Sequence, residues 1–470
     1  MNKYNLISLR EAESLSSTVI LDYYSEYINP GIATFLKILG FDKYKISSAE
    51  GMYLYTECGR KILDFSGGMG VLNHGHNHPR IMEARRKFNE NKRLEICKAF
   101  ISQYQSALAM NLAEVFPGDL KYSFFCNSGA EANEGALKIS LLYHRPFKDK
   151  IIYTDLGYHG KTFGTMSVSG SISRPYKEFF KNLNGCIEVP YGDIDAVRKL
   201  IKQRTLSGRN DIACLILEAI KADKVILPPS GYLEELSSVC KKHNIILIID
   251  EVFTGFGRTG KMFSFEHFNI LPDIVSFSKS LGGGKASIAG YIVRPYIFHK
   301  TYASLKGCTI HTTTFGGLGE ECATALEALN IINDEDLLGN ARERGEYLLS
   351  RMKYLKLKYP RYIKDARGIG LICIFELNSS SEVFGLRFLK NISYNIDNFL
   401  IGLLPATLVS GLLEKYNILI YTGGREDNLF INPSLIVNKE EIDLFINALD
   451  NILGDNILRL ATNLVLKYML

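Results

Sequence analysis

None of the nine cysteines in this 470-residue chain stands in a Cys-x-x-Cys pair; they are odd in number and scattered. That spacing excludes a disulfide framework and a zinc ribbon and fits a reducing compartment, so a cytoplasmic location is expected. Long uncharged runs are also missing. The longest, Phe399 to Leu413, is too short for a spanning helix and contains Pro405, so it is read as buried or interfacial and no membrane span is expected. The N-terminal stretch carries charges inside its first apolar segment and makes a poor signal peptide. Charge of one sign is barely in excess: the net charge of +5 is mild for this length, and Lys and Arg do not cluster on one element. Nucleic acid is therefore not an expected partner. Internal repeats and low-complexity tracts are absent as well.

What is present is a globular balance, 46% apolar and 22% charged residues, on a chain long enough for two domains or one large α/β domain with an annex. The middle of the chain is a series of short apolar runs: 121–126, 150–155, 185–191, 213–220, 244–252, 273–278 and 289–295. Runs this apolar suit strands covered on both faces, as in a parallel sheet. Helical patterns at Glu131–His144, Ile194–Gln203 and Tyr232–His243 separate several of them. Strand, helix, strand in succession means βαβ units and an open α/β sheet, whose ligands sit at the carboxyl ends of the strands. After about residue 335 the texture changes to a helix at Arg342–Tyr359, a strand at 370–377 and a closing helix at Lys439–Leu453. Residues 1–64 read as a helical arm plus a hairpin turning at Cys58-Gly59. The expected division is 1–64 as arm and part of a small domain, 65–335 as the large domain, and 336–470 as the C-terminal part of the small domain.

Three segments at strand ends carry chemistry. In CNSGAEANEGALK (126–138), Ser128, Gly129 and Ala130 open a helix, where small residues let backbone N–H groups reach an anion and the helix dipole favours it. The same residues also fit an ordinary Ser N-cap, and both readings stand. In IIDEVFTGFGRTG (248–260), Asp250 ends the most apolar run of the chain, where a buried carboxylate needs a partner. A pyridinium N–H⁺ would be one; capping of the next loop is the alternative. The Gly255-x-Gly257-x-x-Gly260 spacing inside it is a formal dinucleotide fingerprint, but the aromatic run that follows opens no clean helix, which that motif requires. In DIVSFSKSLGGG (273–284), Lys279 ends a strand before three glycines. A lysine there either snorkels to solvent or is functional, since burial lowers its pKa and makes its amine a nucleophile for an aldehyde. The alternating His74, His76 and His78 suggest a metal, but Pro79 at a helix start makes them a turn leading into a helix at 79–90, and no metal is expected.

At these residues the chain resembles the class III aminotransferases, the pyridoxal 5′-phosphate (PLP) enzymes that include the ornithine, acetylornithine, GABA and putrescine aminotransferases. The motifs appear in order: NSGAEAN at 127–133, YHGKTFG at 158–164, DEVFTGFGRTG at 250–260, FSKSLGGG at 277–284 and HTTTFGG at 311–317. The resemblance runs from about residue 30 to about 455. It implies PLP fold type I, the aspartate aminotransferase-like α/β fold. That fold has a large domain with a mostly parallel seven-stranded sheet, a smaller α+β domain and a homodimer with shared active sites. It also implies Lys279 as the Schiff-base lysine and proton shuttle, Asp250 at the pyridine nitrogen, and Ser128, Gly129 and Ala130 at the phosphate. Tyr158 is implied on the ring face, Thr314 at the phosphate of the neighbouring subunit's cofactor, and Glu218 near the cofactor. The implied activity moves an amino group between an amine donor and a keto-acid or aldehyde acceptor, with ping-pong kinetics.

The substrate pocket departs from that pattern. Where relatives acting on α-amino acids have an arginine before Phe-x-Pro-Pro-Leu, able to fork onto a carboxylate, this chain has Phe430. Phe253 stands where relatives often have Gln, Met69 where ornithine-type enzymes have an aromatic, and Lys161 where an arginine often grips a carboxylate. Arg425 or Lys439 are candidates to compensate from nearby. The expected substrate is thus a diamine, an ω-amine or an amine or aldehyde of a biosynthetic pathway. The alternatives are an ornithine- or acetylornithine-type enzyme whose carboxylate contact has moved, a PLP aminomutase or decarboxylating transaminase, and a non-catalytic PLP-fold binding protein. Lys279 and Asp250 both being present speaks against the last.

Overall fold

The computed structural model describes every residue except 1–3, 5, 96–98, 171–182, 207, 387–393, 423–426, 456 and 470. The start of the N-terminal stretch and Arg425 therefore lie outside the described residues.

Each of the seven apolar runs forms a strand of one sheet: β1 Tyr122–Cys126, β2 Lys150–Thr154, β3 Cys186–Val189, β4 Ile212–Leu217, β5 Ile246–Asp250, β6 Ile274–Phe277 and β7 Ala289–Val293. Their order is β1-β7-β6-β5-β4-β2-β3. Strand β7 runs antiparallel to β1 and β6, and the other pairings are parallel. Every residue of β4, β5, β6 and β7 is buried. That is why these runs carry no polar alternation: both faces of a parallel sheet are covered by helices.

The helices start where side chains can cap them. Ser128 opens Gly129–His144, and Asp193 opens Ile194–Arg204, its Oδ1 accepting from the Ala196 N–H at 2.9 Å. The helix expected at Arg342–Tyr359 begins earlier, at Leu337, because Asp336 in a left-handed conformation accepts from the Gly339 N–H at 3.0 Å and nucleates it. The closing helix, Lys439–Gly454, begins with a reciprocal cap between Asn438 and Glu441. The run Phe399–Leu413 lies in a helix, Tyr394–Tyr416, that accommodates Pro405; Leu404, Leu408, Val409 and Leu412 are buried. Among the described residues, no helix is long and apolar enough to cross a membrane.

Two four-stranded sheets and a two-stranded ribbon, Thr205–Leu206 with Arg209–Asn210, accompany the seven-stranded sheet among the described residues. The hairpin Tyr53–Thr56 and Lys61–Asp64 turns at Cys58-Gly59, with Gly59 at φ 81°. Ile46–Glu50 joins it on one side, and Ile418–Leu419 pairs in parallel with Leu63 and Asp64 on the other, so both ends of the chain enter one sheet. The second sheet has the order Ile363–Ile369, Ile372–Leu377, Asn428–Ile431, Tyr421–Thr422. The three histidines each have a separate partner: His74 Nε2 with Ala328 O at 2.9 Å, His76 Nε2 with Asp64 Oδ2 at 2.8 Å, and His78 Nε2 with Glu335 Oε1 at 3.2 Å. They lead into the helix Pro79–Glu90, the structural role their spacing before a proline predicts.

Under the carboxyl end of β5 and β6 lies an aromatic cluster. Phe116 stacks on Phe263 at 3.9 Å between ring centroids, and Phe256 and Phe277 close around them. Each buried ring contributes about 1.5–3 kcal/mol, so the loop between Asp250 and Phe265 is held rigidly against the sheet.

Candidate active site

Asp250 is the last residue of β5 and is 3% exposed. Its Oδ2 accepts from Asn133 Nδ2 at 2.8 Å and sits 2.7 Å from His159 Nδ1, while its Oδ1 accepts from the Val252 N–H at 2.9 Å. Asn133 is fixed in turn by Ser276 Oγ, which donates to its Oδ1 at 2.5 Å. A carboxylate oxygen accepts about two hydrogen bonds. Oδ2 is filled by protein groups, and Oδ1 keeps room for one more donor.

Lys279 follows β6 and adopts φ 45°, a left-handed conformation that a non-glycine residue holds only under constraint from its surroundings. Burial lowers its pKa from 10.5 to about 8, against the opposing pull of the Asp250 and Glu218 carboxylates. Its Nζ lies 3.9 Å from the centroid of the Phe253 ring. Phe430, 2% exposed, packs against Phe253 at 5.6 Å between centroids, so its ring backs the one beside Lys279. Phe430 faces Ile374 across the sheet and shares an apolar cluster with Ile372, Ala222 and Val225.

The helix Gly129–His144 reaches this place from the third side. A Cβ on Gly129 would stand 2.6 Å from the Val252 side chain, two residues past Asp250, so only glycine lets the helix start so near β5. Ser128 Oγ accepts from the Glu131 N–H at 3.3 Å and donates to Glu131 Oε2 at 2.9 Å, so the N-cap reading holds in the geometry. The N–H groups of Gly129 and Ala130 still open the helix, where no preceding turn supplies a carbonyl. Tyr158 is 40% exposed, and its N–H donates to Glu218 Oε2 at 3.1 Å. Glu218 also accepts from Lys221 Nζ at 2.9 Å and from the Ala222 N–H at 3.3 Å. Met69, 44% exposed at φ 56°, lies in the turn Gly67–Gly70, where a Cβ on Gly70 would stand 3.0 Å from the Phe253 ring. Lys161 is exposed in the loop beside Gly160, whose Cα packs on Ala130. Thr314 is exposed too, next to Phe315, whose carbonyl accepts from Asn127 Nδ2 at 3.2 Å. Lys439, in contrast, is taken up elsewhere, over the Tyr347 ring at 5.1 Å. The glycines 255, 257 and 260 form turns followed by the short 3₁₀ segment Ser264–Phe268, not the helix a dinucleotide site requires.

An amine of lowered basicity, a buried carboxylate with one acceptor position left, and a helix N-terminus thus meet at the ends of β5 and β6. Those are the groups an aromatic aldehyde with a protonated ring nitrogen and a phosphate needs, so the residues fit PLP. The family model for class III aminotransferases matches residues 40–453. The chain belongs to the class III aminotransferases. Enzymes of this class depend on PLP, and this aminotransferase therefore does too. It is similar to a transaminase from the marine bacterium Virgibacillus (26% identity, 90% of this chain and 94% of that one, TM-score 0.76). It is similar as well to the ornithine aminotransferase of Toxoplasma gondii, solved with PLP at partial occupancy (26%, 96% and 98%, 0.79). An (S)-enantioselective omega-transaminase from Thermomicrobium roseum is a third likeness (27%, 94% and 98%, 0.78).

Asn133, His159, Ser276 and Lys221 do not stand out in the sequence. Asn133 and His159 lie inside the NSGAEAN and YHGKTFG motifs, and the signal that could have marked them is the need of a buried Asp250 for donors. Lys221 stands three residues after Glu218 and two before Asp223, a charge spacing that is visible but ordinary for a loop.

Proposed function

We propose that this aminotransferase takes its amino group from an amine without a carboxylate on the reacting carbon, a diamine or other ω-amine, and passes it to a keto acid or aldehyde. The observation that carries the reading is the apolar wall of Phe253 and Phe430 beside Lys279. A carboxylate pressed against that wall without a paired cation loses hydration worth several kcal/mol, whereas an alkyl chain gains about 0.8 kcal/mol per buried CH₂.

In this reading PLP supplies an aldehyde that captures the substrate amine and a protonated ring that stabilises negative charge on the reacting carbon. Lys279 would hold the cofactor covalently. Freed by the substrate, its amine, lowered to a pKa of about 8 and so more readily neutral than an ordinary lysine, would remove a proton from the carbon bearing nitrogen and return it on the same face. Asp250 would keep a proton on the ring nitrogen, with His159 and Asn133 orienting its carboxylate through Oδ2. The N–H groups of Gly129 and Ala130, with Ser128, hold the phosphate. Tyr158 covers one ring face, and Glu218 fixes the Tyr158 backbone. Lys161, exposed in its loop, would meet a distant carboxylate of the acceptor. Thr314, exposed on the single chain, serves the phosphate site of a partner subunit, which makes the enzyme a homodimer with shared sites. Cysteines that are free at every described position support a cytoplasmic location.

The test is a panel of single half-reactions. The PLP form is mixed with diamines, monoamines, ornithine, acetylornithine and GABA, and conversion of the cofactor to its amine form is followed by absorbance. Monoamines and diamines should react faster than the α-amino acids; ornithine ahead of every simple amine refutes the reading.

A further inference from the structure

Besides Lys279, a second buried lysine borders the apolar wall: Lys221, which is 2% exposed. Its Nζ lies 2.9 Å from Glu218 Oε2, 3.1 Å from Asp223 Oδ1 and 6.0 Å from the Tyr158 ring centroid. The turn that carries it also places Ala222 and Val225 in the cluster with Phe430 and Phe253, so this group of charges borders the wall beside Lys279. A buried lysine here invites the reading that it grips a substrate carboxylate. Its partners argue otherwise: two carboxylates already share one ammonium, which leaves one negative charge in surplus. Both Glu218 oxygens are engaged, by Lys221 and Tyr158 on one side and Ala222 on the other, and its side chain is only 8% exposed. Asp223 is bound to Lys221 through Oδ1, and its side chain is 51% exposed. The surplus charge is therefore offered to solvent at Asp223.

Resting on the proposed amine specificity, we propose that Asp223 receives the far ammonium of an α,ω-diamine, with the methylene chain along Phe253 and Lys221 holding the carboxylate in place. An apolar wall ending in one unbalanced carboxylate recognises an alkyl chain ending in a cation. It also repels a substrate that ends in a carboxylate, so the same residue acts for one class and against the other.

The experiment uses the PLP-loaded enzyme and compares 1,5-diaminopentane with pentylamine, then the three- to six-carbon members of both series. The wild-type enzyme is expected to prefer the diamine in kcat/KM at its best chain length by about 10- to 100-fold, the factor of one charge-assisted hydrogen bond. Asp223→Asn and Asp223→Ser should collapse that ratio through KM, and Asp223→Glu, which keeps the charge, should retain most of it. Two neutral variants guard against one that fails to fold, and melting temperatures identify such a failure. A diamine-to-monoamine ratio near one in the wild type, or a ratio that survives both neutral substitutions, overturns this assignment alone. Ornithine outrunning pentylamine overturns the amine reading of the pocket, a distinct result.

Discussion

Replacing Lys279 by Met should stabilise the cofactor-free protein at neutral pH while abolishing turnover. Burial lowers the Lys279 pKa from 10.5 to about 8. The native site therefore binds the lysine's proton less tightly than the unfolded chain does. Below pH 8 both states are protonated and folding bears the full penalty, about 3 kcal/mol, since each tenfold loss of proton affinity costs roughly 1.4 kcal/mol. Between pH 8 and 10.5 the unfolded chain still holds the proton and the native site does not, so stability rises with pH; above 10.5 the penalty is gone. The Phe253 ring, 3.9 Å from Nζ, favours the ammonium and offsets part of the penalty, about 1 kcal/mol. Methionine fills a similar volume without a charge, so the variant should gain about 2 kcal/mol at pH 7. By pH 10.5, where the unfolded lysine is half deprotonated, the gain should fall below about 1 kcal/mol. Urea denaturation of both cofactor-free proteins at the two pH values measures the difference, and other titrating groups cancel in the comparison. A variant less stable at pH 7, or a gap of equal size at both pH values, would show that Lys279 is solvated in the native state and that the basicity argument for it is wrong.

Asp250→Asn should leave the fold intact and slow the half-reaction by several orders of magnitude, because an amide cannot keep the ring nitrogen protonated; near-normal single-turnover rates would reduce Asp250 to a structural cap. Phe430→Arg should raise α-amino acids relative to diamines in kcat/KM, since a guanidinium can fork onto a carboxylate; an unchanged ratio means that the backing ring does not influence the pocket. Sedimentation should find a dimer, and Thr314→Ala should weaken PLP retention on equilibrium dialysis; a fully active monomer excludes the shared site.

The sheet was legible because its strands are buried on both faces. A parallel strand under two layers of helices has no polar positions, so runs such as 244–252 stand out by composition alone, and Asp250 and Lys279 stand out as the charges that end them. Boundaries were less legible where a single side chain decides them, as at Asp336, whose left-handed conformation starts a helix ahead of its apolar pattern. The helix over Pro405 carries a residue that argues locally against helix, and only the burial of Leu404, Leu408 and Leu412 in tertiary contact explains it. The chemistry of the site shows the same divide. A motif marks the residue that ends a strand, but not the groups that fill its remaining hydrogen bonds from other elements. His159 and Asn133 come to Asp250 from 91 and 117 residues away in sequence, and nothing along the chain ties them together. Lys221 is the sharpest case. A pocket judged from Phe430, Phe253 and Met69 contains no cation, and the structure puts one at its border. Counted alone, that lysine would reverse the substrate argument. Counted with Glu218 and Asp223 it strengthens the argument, because what reaches solvent is the carboxylate. The sign of the field at the pocket wall is thus a property of three side chains taken together, and it becomes readable only when their distances are known.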